Sequence, residues 1–282
     1  MQSEPNRCML KQFCKKGHQL CCNFIFGPEK KRMRLSTSSE TDSDKSINKM
    51  PSNANAKASY IKTMLKTADA VCFDVDSTIC RDEAIDELAE HLGVGDKVAE
   101  LTKKAMSQKN VEYKDTLRAR LNVMKPSRQA LHDFIKRHPP KLTPGIMELV
   151  QELHNRGTQV YIITGGFDSI VQEVAKELGV PSQNVYANKL LFFYNGDYAG
   201  FDETQLTCRS GGKGRAVKLI KEKHNHKSII MVGDGSTDLE AAPPADACIG
   251  FGGNQVRETV QREAHWFIHS FKELTNVLQA AA

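Results

Sequence analysis

Val71-Cys72-Phe73-Asp74-Val75-Asp76-Ser77-Thr78 decides how the rest of the chain is read. An apolar run of strand formers breaks into two carboxylates and then two hydroxyls, the mark of a strand reaching its end. Alternate residues of an extended chain point the same way, so Asp74 and Asp76 are expected on one face. Like charges that close raise each other's cost of ionisation. Such a pair is expected around a cation or a reacting centre; the plainer alternative is a strand followed by an acidic turn.

Beyond Thr78 the pattern becomes helical. Ile85, Leu88, Ala89 and Leu92 share one face of a helix over 83–92, and helical periodicity returns over 97–107, 113–124 and 127–137. His138-Pro139-Pro140 opens a proline-rich stretch that closes this block. A helix then starts at Pro144, capped by Thr143, and stops at Gly157. From there strands (159–163, 184–187, 228–232, 247–250, 266–268) alternate with helices (167–178, 213–223, 237–242, 255–263, 271–278). Asn195-Gly196-Asp197 adds a hairpin between 190–194 and 198–201. The expectation is an α/β, Rossmann-like parallel sheet with helices on both faces, and a helical cap (lid) inserted after the first strand. The implied domains are a core over 58–81 and 141–282, a cap over 82–140, and a disordered polar and basic tail over 1–57.

Charge sharpens that division. Of the 39 Lys and Arg and 34 Asp and Glu in 282 residues, residues 1–60 hold 11 and 5, leaving 28 and 29 for the rest. A near-neutral body argues against a nucleic-acid partner, and no apolar run is long enough to span a membrane. In the tail, Cys14, His18, Cys21 and Cys22 match no usual zinc arrangement. Lys30-Lys31-Arg32-Met33-Arg34 reads as a solvated basic linker, with nuclear import as the alternative. With no signal peptide visible, the thiols are expected to be reduced and the protein cytoplasmic, organellar targeting by the tail remaining open.

In parallel sheets ligands gather at the carboxyl ends of the strands. Three such ends carry chemistry here: Asp74-Val75-Asp76-Ser77-Thr78, Thr164-Gly165-Gly166, and Gly233-Asp234-Gly235-Ser236-Thr237-Asp238. Asp74 and Asp234, with a backbone carbonyl and waters, suit the octahedral oxygen shell of Mg²⁺. Thr164 with the Gly165 and Gly166 amides, opening a helix, makes an anion cradle. Lys213, after two glycines, is a point charge for a phosphate, and Asp238 can hold either Lys213 or a metal-bound water. Taken singly, Lys213 reads as a solvated lysine and Thr164-Gly165-Gly166 as a turn. Jointly, at one sheet edge, they describe a phosphate site.

These four motifs in this order resemble those of the haloacid dehalogenase superfamily of phosphohydrolases, from about Ala70 to the chain end. Within it the likeness is to the branch acting on O-phospho-L-serine, carried also by Glu83, Asn195-Gly196-Asp197-Tyr198, Ser210-Gly211-Gly212-Lys213 and Gly250-Phe251-Gly252-Gly253-Asn254. The resemblance implies an Mg²⁺-dependent phosphatase releasing L-serine, the last step of serine biosynthesis, through an aspartyl phosphate. Asp74 would be the nucleophile and Asp76 the general acid and base. Asp74, Asp234 and the Asp76 carbonyl would hold the metal, and Thr164, Gly165 and Lys213 the phosphoryl oxygens. Glu83 would pair with the substrate ammonium and Arg120 with its carboxylate, although Arg118 competes for that place on the residue pattern alone. Met106 would pack over the substrate, or be an ordinary apolar helix position; Thr237 would contact it, or simply cap a helix. The family usually has serine where Thr164 stands, and Ser107-Gln108 replaces a glycine pair. Relatives suggest a homodimer. The rival readings are a same-fold phosphatase for another small phosphate monoester, or a non-catalytic interaction protein on this scaffold.

Overall fold

The computed structural model describes residues 53–107 and 112–280; the tail cysteines, His18 and the basic run lie outside the described residues. In chain order the elements are α1 (Ala54–Thr67), β1 (Ala70–Phe73), α2 (Ala84–His91), α3 (Gly95–Ser107), α4 (Tyr113–Met124), α5 (Arg128–Arg137), α6 (Ile146–Asn155), β2 (Gln159–Phe167), α7 (Asp168–Glu177), β3 (Val185–Asn188), β4 (Leu190–Phe192), β5 (Tyr198–Phe201), α8 (Gly212–His224), β6 (Ile229–Gly233), α9 (Ser236–Leu239), β7 (Ala247–Phe251), α10 (Glu258–Glu263), β8 (Trp266–Ile268) and α11 (Phe271–Gln279).

Six strands form one sheet in the order β3-β2-β1-β6-β7-β8, every neighbouring pair parallel. All four residues of β1 are buried, as a central strand covered on both faces requires. Val71 and Phe73 face one layer with Ile61, Leu149, Leu153 and Phe271. Ala70 and Cys72 face the other, with Tyr161, Ala216, Val217 and Ile220. Phe271 anchors the first layer, meeting Phe73 edge-on and Phe251 face-on with ring centroids 6.2 and 4.3 Å away. The α/β architecture with helices on both faces is thus the one the alternation predicted.

Several boundaries differ from expectation, each for a local reason. Helix α1 begins inside the stretch read as tail, where the Asn53 side chain caps Asn55 N–H; Ile61 and Leu65 are then buried in the core. Strand β1 stops at Phe73, and the chain makes one wide turn in which Ile79 and Cys80 donate to carbonyls five residues back, Asp74 and Val75. Asp74 and Asp76 are therefore not alternate residues of one strand. Helix α6 is not capped by Thr143: Gly145 stands at its N-cap, and the Thr143 hydroxyl donates to the Thr78 carbonyl at 2.7 Å. Strand β2 runs through Thr164-Gly165-Gly166 to Phe167, so these residues close a strand and do not open a helix.

Helices α2–α5 share a third apolar cluster built on Leu88, Val98, Leu117, Leu121, Leu131 and Phe134. Phe167, Phe201 and Cys208, from the sheet side, complete it. The block therefore packs on the carboxyl end of β2. Its entry and exit segments run side by side: Arg81 N–H donates to Lys141 O at 3.0 Å, and Thr143 N–H to Ile79 O at 2.8 Å.

A further tie lies on the surface, where Glu203 meets Lys114 at 2.9 Å and Arg118 at 2.7 Å, both on α4. Bonds from Arg118, then Lys114, pull the Glu203 carboxyl down to about 2. A depressed folded pKa contributes stability above the unfolded value of about 4.3 and loses it as pH falls toward the folded one. Urea midpoints of the wild type and Glu203→Gln should accordingly differ at pH 6 and converge as pH is lowered from about 4 toward 2.

Candidate active site

The carboxyl ends of β1, β2, β6 and β7 meet along one edge, because β1 pairs with both β2 and β6, and β6 pairs with β7. A cavity of about 300 Å³ opens there, lined among others by Asp74, Asp76, Glu83, Tyr113, Arg120, Gly165, Lys213, Asp234, Thr237 and Arg257. Most of the residues predicted from the strand ends and from the helical block thus converge on one space. Thr164 is wholly buried behind it, and Met106 lies in the last turn of α3 with its side chain outside the described part of the structure.

Lys213 is the electrostatic centre. It starts α8, and its Nζ lies 2.8 Å from both Asp74 Oδ2 and Asp238 Oδ1. Burial alone would disfavour its charge, but Asp238 and Asp74 outweigh that and hold the ammonium far above the ordinary lysine range. Asp238 is fully buried, and its second oxygen accepts from Gly235 N–H at 3.0 Å. Gly233 carries no Cβ because the Asp238 carboxylate fills that space.

A second ion pair faces the first. Arg257 Nε donates to Asp234 Oδ2 at 2.7 Å, and its Nη2 lies 3.5 Å from Glu83 Oε1. Carboxylate oxygens of Asp74, Asp234 and Asp238 lie within 4.8 Å of one another, a buried cluster of hard oxygen donors able to hold a metal ion. Lys213 and Gly235 engage both oxygens of Asp238, Arg257 and the Thr78 hydroxyl engage both of Asp234, and Lys213 takes one oxygen of Asp74.

Asp76 differs from its neighbour. Its Oδ1 accepts from Ala84 N–H at 2.9 Å, at the start of α2. Burial first, then the charges of Glu83 and Asp74, push its pKa up to about 8. A carboxyl that keeps its proton near neutrality suits a proton donor. Burial likewise raises Glu83, opposed by the Ser77 hydrogen bond.

The anion cradle is narrower than predicted. Gly166 N–H donates to Thr164 Oγ1 at 2.9 Å, so that amide is committed inside the protein. Gly165 O accepts from Asn188 Nδ2 at 2.8 Å and from Tyr113 Oη at 3.3 Å, and a Cβ on Gly165 would meet that hydroxyl at 2.5 Å. Thr164 thus shapes the end of β2, while Gly165 lines the cavity.

The two arginines differ in their partners and their burial. Arg118 is engaged by Asp115 and Glu203 on the surface. Arg120 is 8 % exposed, lines the cavity, and its Nε is buried without a hydrogen-bond partner. Buried polar atoms are nearly always paired, and the protein itself supplies no acceptor for this one. Thr237 is the second residue of α9, whose N-cap is Gly235, so it lines the cavity without capping the helix.

Three participants were given no role by the sequence reading, although Asn254 closes a stretch that carried the family likeness. Arg257 follows β7, a fourth strand end that carries no acidic motif. Asn254 comes from the same end and donates to Thr143 Oγ1 at 2.7 Å and Ser77 O at 3.1 Å, fastening the turn after β1. Tyr113 reaches the cradle from the helical block. Comparing all strand ends, including those without carboxylates, would have flagged the first two; nothing local marks Tyr113.

Residues 68–246 match the family model for haloacid dehalogenase-like hydrolases, and the chain belongs to that enzyme family. Within it the likeness is to phosphoserine phosphatases. The Homo sapiens phosphoserine phosphatase is 54% identical over 221 residues, covering 78% of this chain and 98% of that protein. The chloroplastic phosphoserine phosphatase of Arabidopsis thaliana is 46% identical, covering 77% of this chain and 74% of that protein. A solved phospho-aspartyl intermediate analogue of a phosphoserine phosphatase superposes with a TM-score of 0.64 at 28% identity, covering 75% of this chain and 99% of that one.

Lys213→Ala would leave Asp74 and Asp238 as buried like charges with no cation between them. Urea unfolding should show a loss of about 3–5 kcal/mol at neutral pH, shrinking as the solution is acidified and the carboxylates take up protons.

Proposed function

We infer that this protein is a phosphatase that hydrolyses O-phospho-L-serine to L-serine and phosphate. The observation that carries the substrate choice is Arg120: a buried guanidinium with an unpaired Nε, in the same cavity as the Glu83 carboxylate and the Lys213–Asp74 pair. The first suits a substrate carboxylate, the second an ammonium, the third a phosphoryl group. High identity to phosphoserine phosphatases over most of the chain supports the same choice.

The chemistry follows from which groups hold protons. An Asp74 oxygen attacks phosphorus, the bond from phosphorus to the serine oxygen breaks, and Asp76 passes its proton to that oxygen. A water then attacks the aspartyl phosphate, Asp76 takes back a proton, and phosphate leaves Asp74 in its original form. Lys213 and Gly165 N–H hold the phosphoryl oxygens, and Asp238 keeps Lys213 in place. Asp74, Asp234 and the Asp76 carbonyl form the oxygen set we assign to Mg²⁺, which when bound offsets repulsion between carboxylate and phosphate. In this reading residues 82–140 act as a cap domain over the core of 58–81 and 141–282, with Met106 and Thr237 contacting the substrate. Homodimerisation, on the family likeness, and a cytoplasmic location, on the expected reduced thiols, complete it. Among the described residues no helix is long and apolar enough to cross a membrane.

Phosphate release from phosphoserine should require added Mg²⁺, stop with EDTA, and be absent in Asp74→Asn; turnover by that variant at the wild-type rate would refute the nucleophile. Arg120→Ala should raise KM for phosphoserine roughly 10- to 100-fold while an aryl phosphate lacking a carboxylate is much less affected. An equal loss on both would move the carboxylate contact elsewhere.

A further inference from the structure

Ser77 is out of place by the ordinary rules of backbone conformation. Among the described residues three that are not glycine have positive φ: Ser77 (54°), Lys125 (38°) and Asn225 (55°). Lys125 and Asn225 each close a helix, α4 and α8, where the left-handed conformation is common. Ser77 closes none. It sits directly after Asp76, is 5 % exposed, and holds a strained conformation in the turn that follows β1. Strain of this kind persists only where the surroundings over-determine it, and it collects at functional sites.

The surroundings do over-determine it. Asn254 Nδ2 donates to Ser77 O at 3.1 Å. Ser77 N–H reaches Asp82 O at 3.4 Å, and Ala84 N–H ties back to Asp76 Oδ1 at 2.9 Å. Pinned on both sides, the residue aims its hydroxyl at Glu83 and donates to Oε1 at 2.9 Å. Arg257 approaches that same oxygen. Both contacts fall on Oε1, so Oε2 is the oxygen offered to a ligand. Glu83 is a long, partly exposed side chain, and the short, buried Ser77 makes the nearer of the two contacts that hold it, at 2.9 Å against 3.5 Å for Arg257.

We propose that Ser77 is a positioning residue for amine recognition: its left-handed backbone places Oγ so that Glu83 is held with one carboxylate oxygen free for the ammonium of an amino-acid phosphate. This rests on the reading of Glu83 as the ammonium partner. It adds that selectivity for the amine is built into the turn that carries the reacting aspartates, and not into the helical block alone.

The test compares phosphoserine with 3-(phosphonooxy)propanoate, which lacks only the ammonium, using the full chain with Mg²⁺. Ser77→Ala deletes the hydroxyl and keeps the Cβ that makes positive φ costly; Ser77→Gly deletes both. Each should lower the ratio of kcat/KM for phosphoserine over the deaminated substrate about 10-fold, chiefly through KM for phosphoserine. In a Glu83→Gln background, Ser77→Ala should change that ratio less than about 2-fold, because the two residues act as one unit. If both Ser77 variants keep the wild-type ratio while Glu83→Gln loses it, or if they slow the two substrates equally, Ser77 only shapes the backbone and the proposal falls. If Glu83→Gln itself leaves the ratio unchanged, the ammonium partner lies elsewhere, and the reading beneath the proposal fails first. Should Ser77→Ala fold poorly, Ser77→Gly, which carries no penalty at positive φ, decides alone.

Discussion

Everything at this site depends on keeping acidic groups together where water is scarce. Asp74, Asp234 and Asp238 crowd one sheet edge, with Asp76 and Glu83 in the same cavity. Two cations make that arrangement possible. Lys213 joins Asp74 to Asp238, and Arg257 joins Asp234 to Glu83. Each carboxylate is thereby given a different electrostatic surrounding. Asp74 has an ammonium against it, whereas for Asp76 a backbone amide and the weaker pull of Lys213 are outweighed by burial and two like charges. One acid is suited to attack and the other to carry a proton, and the distinction comes from environment alone.

The fold supplies the edge on which this can happen. A parallel sheet with β1 at its centre sends the ends of four strands to one side, and the turns beyond them are fastened to each other. Asn254, from beyond β7, fastens the turn after β1, and the Thr143 hydroxyl does the same from the segment leaving the helical block. The block itself contributes Arg120 and Tyr113, the latter bonded to the cradle through Gly165. The groups to which we assign substrate reading and phosphate handling thus come from separate elements that meet only in the folded chain. The buried thiols of Cys72 and Cys248 remain packing groups, with burial raising both.

Much of this was legible before folding. The alternation of apolar runs and helical periodicity determined a parallel sheet with an inserted helical block, since period and element length are local properties. Asp74, Asp76 and Asp234 were legible because strand ends concentrate chemistry, and Lys213 because two glycines precede it at the start of a helix. Only the tertiary structure decided the rest. The end of β1 at Phe73 and the strand conformation of Thr164-Gly165-Gly166 depend on neighbouring strands, not on the residues themselves. Arg120 and Arg118 lie on one helix and carry one charge, and only the folded chain buries the first beside the cavity and pairs the second with Glu203. Arg257 became visible only as a partner of Asp234, 23 residues away in sequence and 2.7 Å in space. Spacing along a chain records what a local segment can do. Which buried charges must share a partner is a property of three-dimensional proximity, because Coulomb energy falls with distance through space and ignores the path of the backbone.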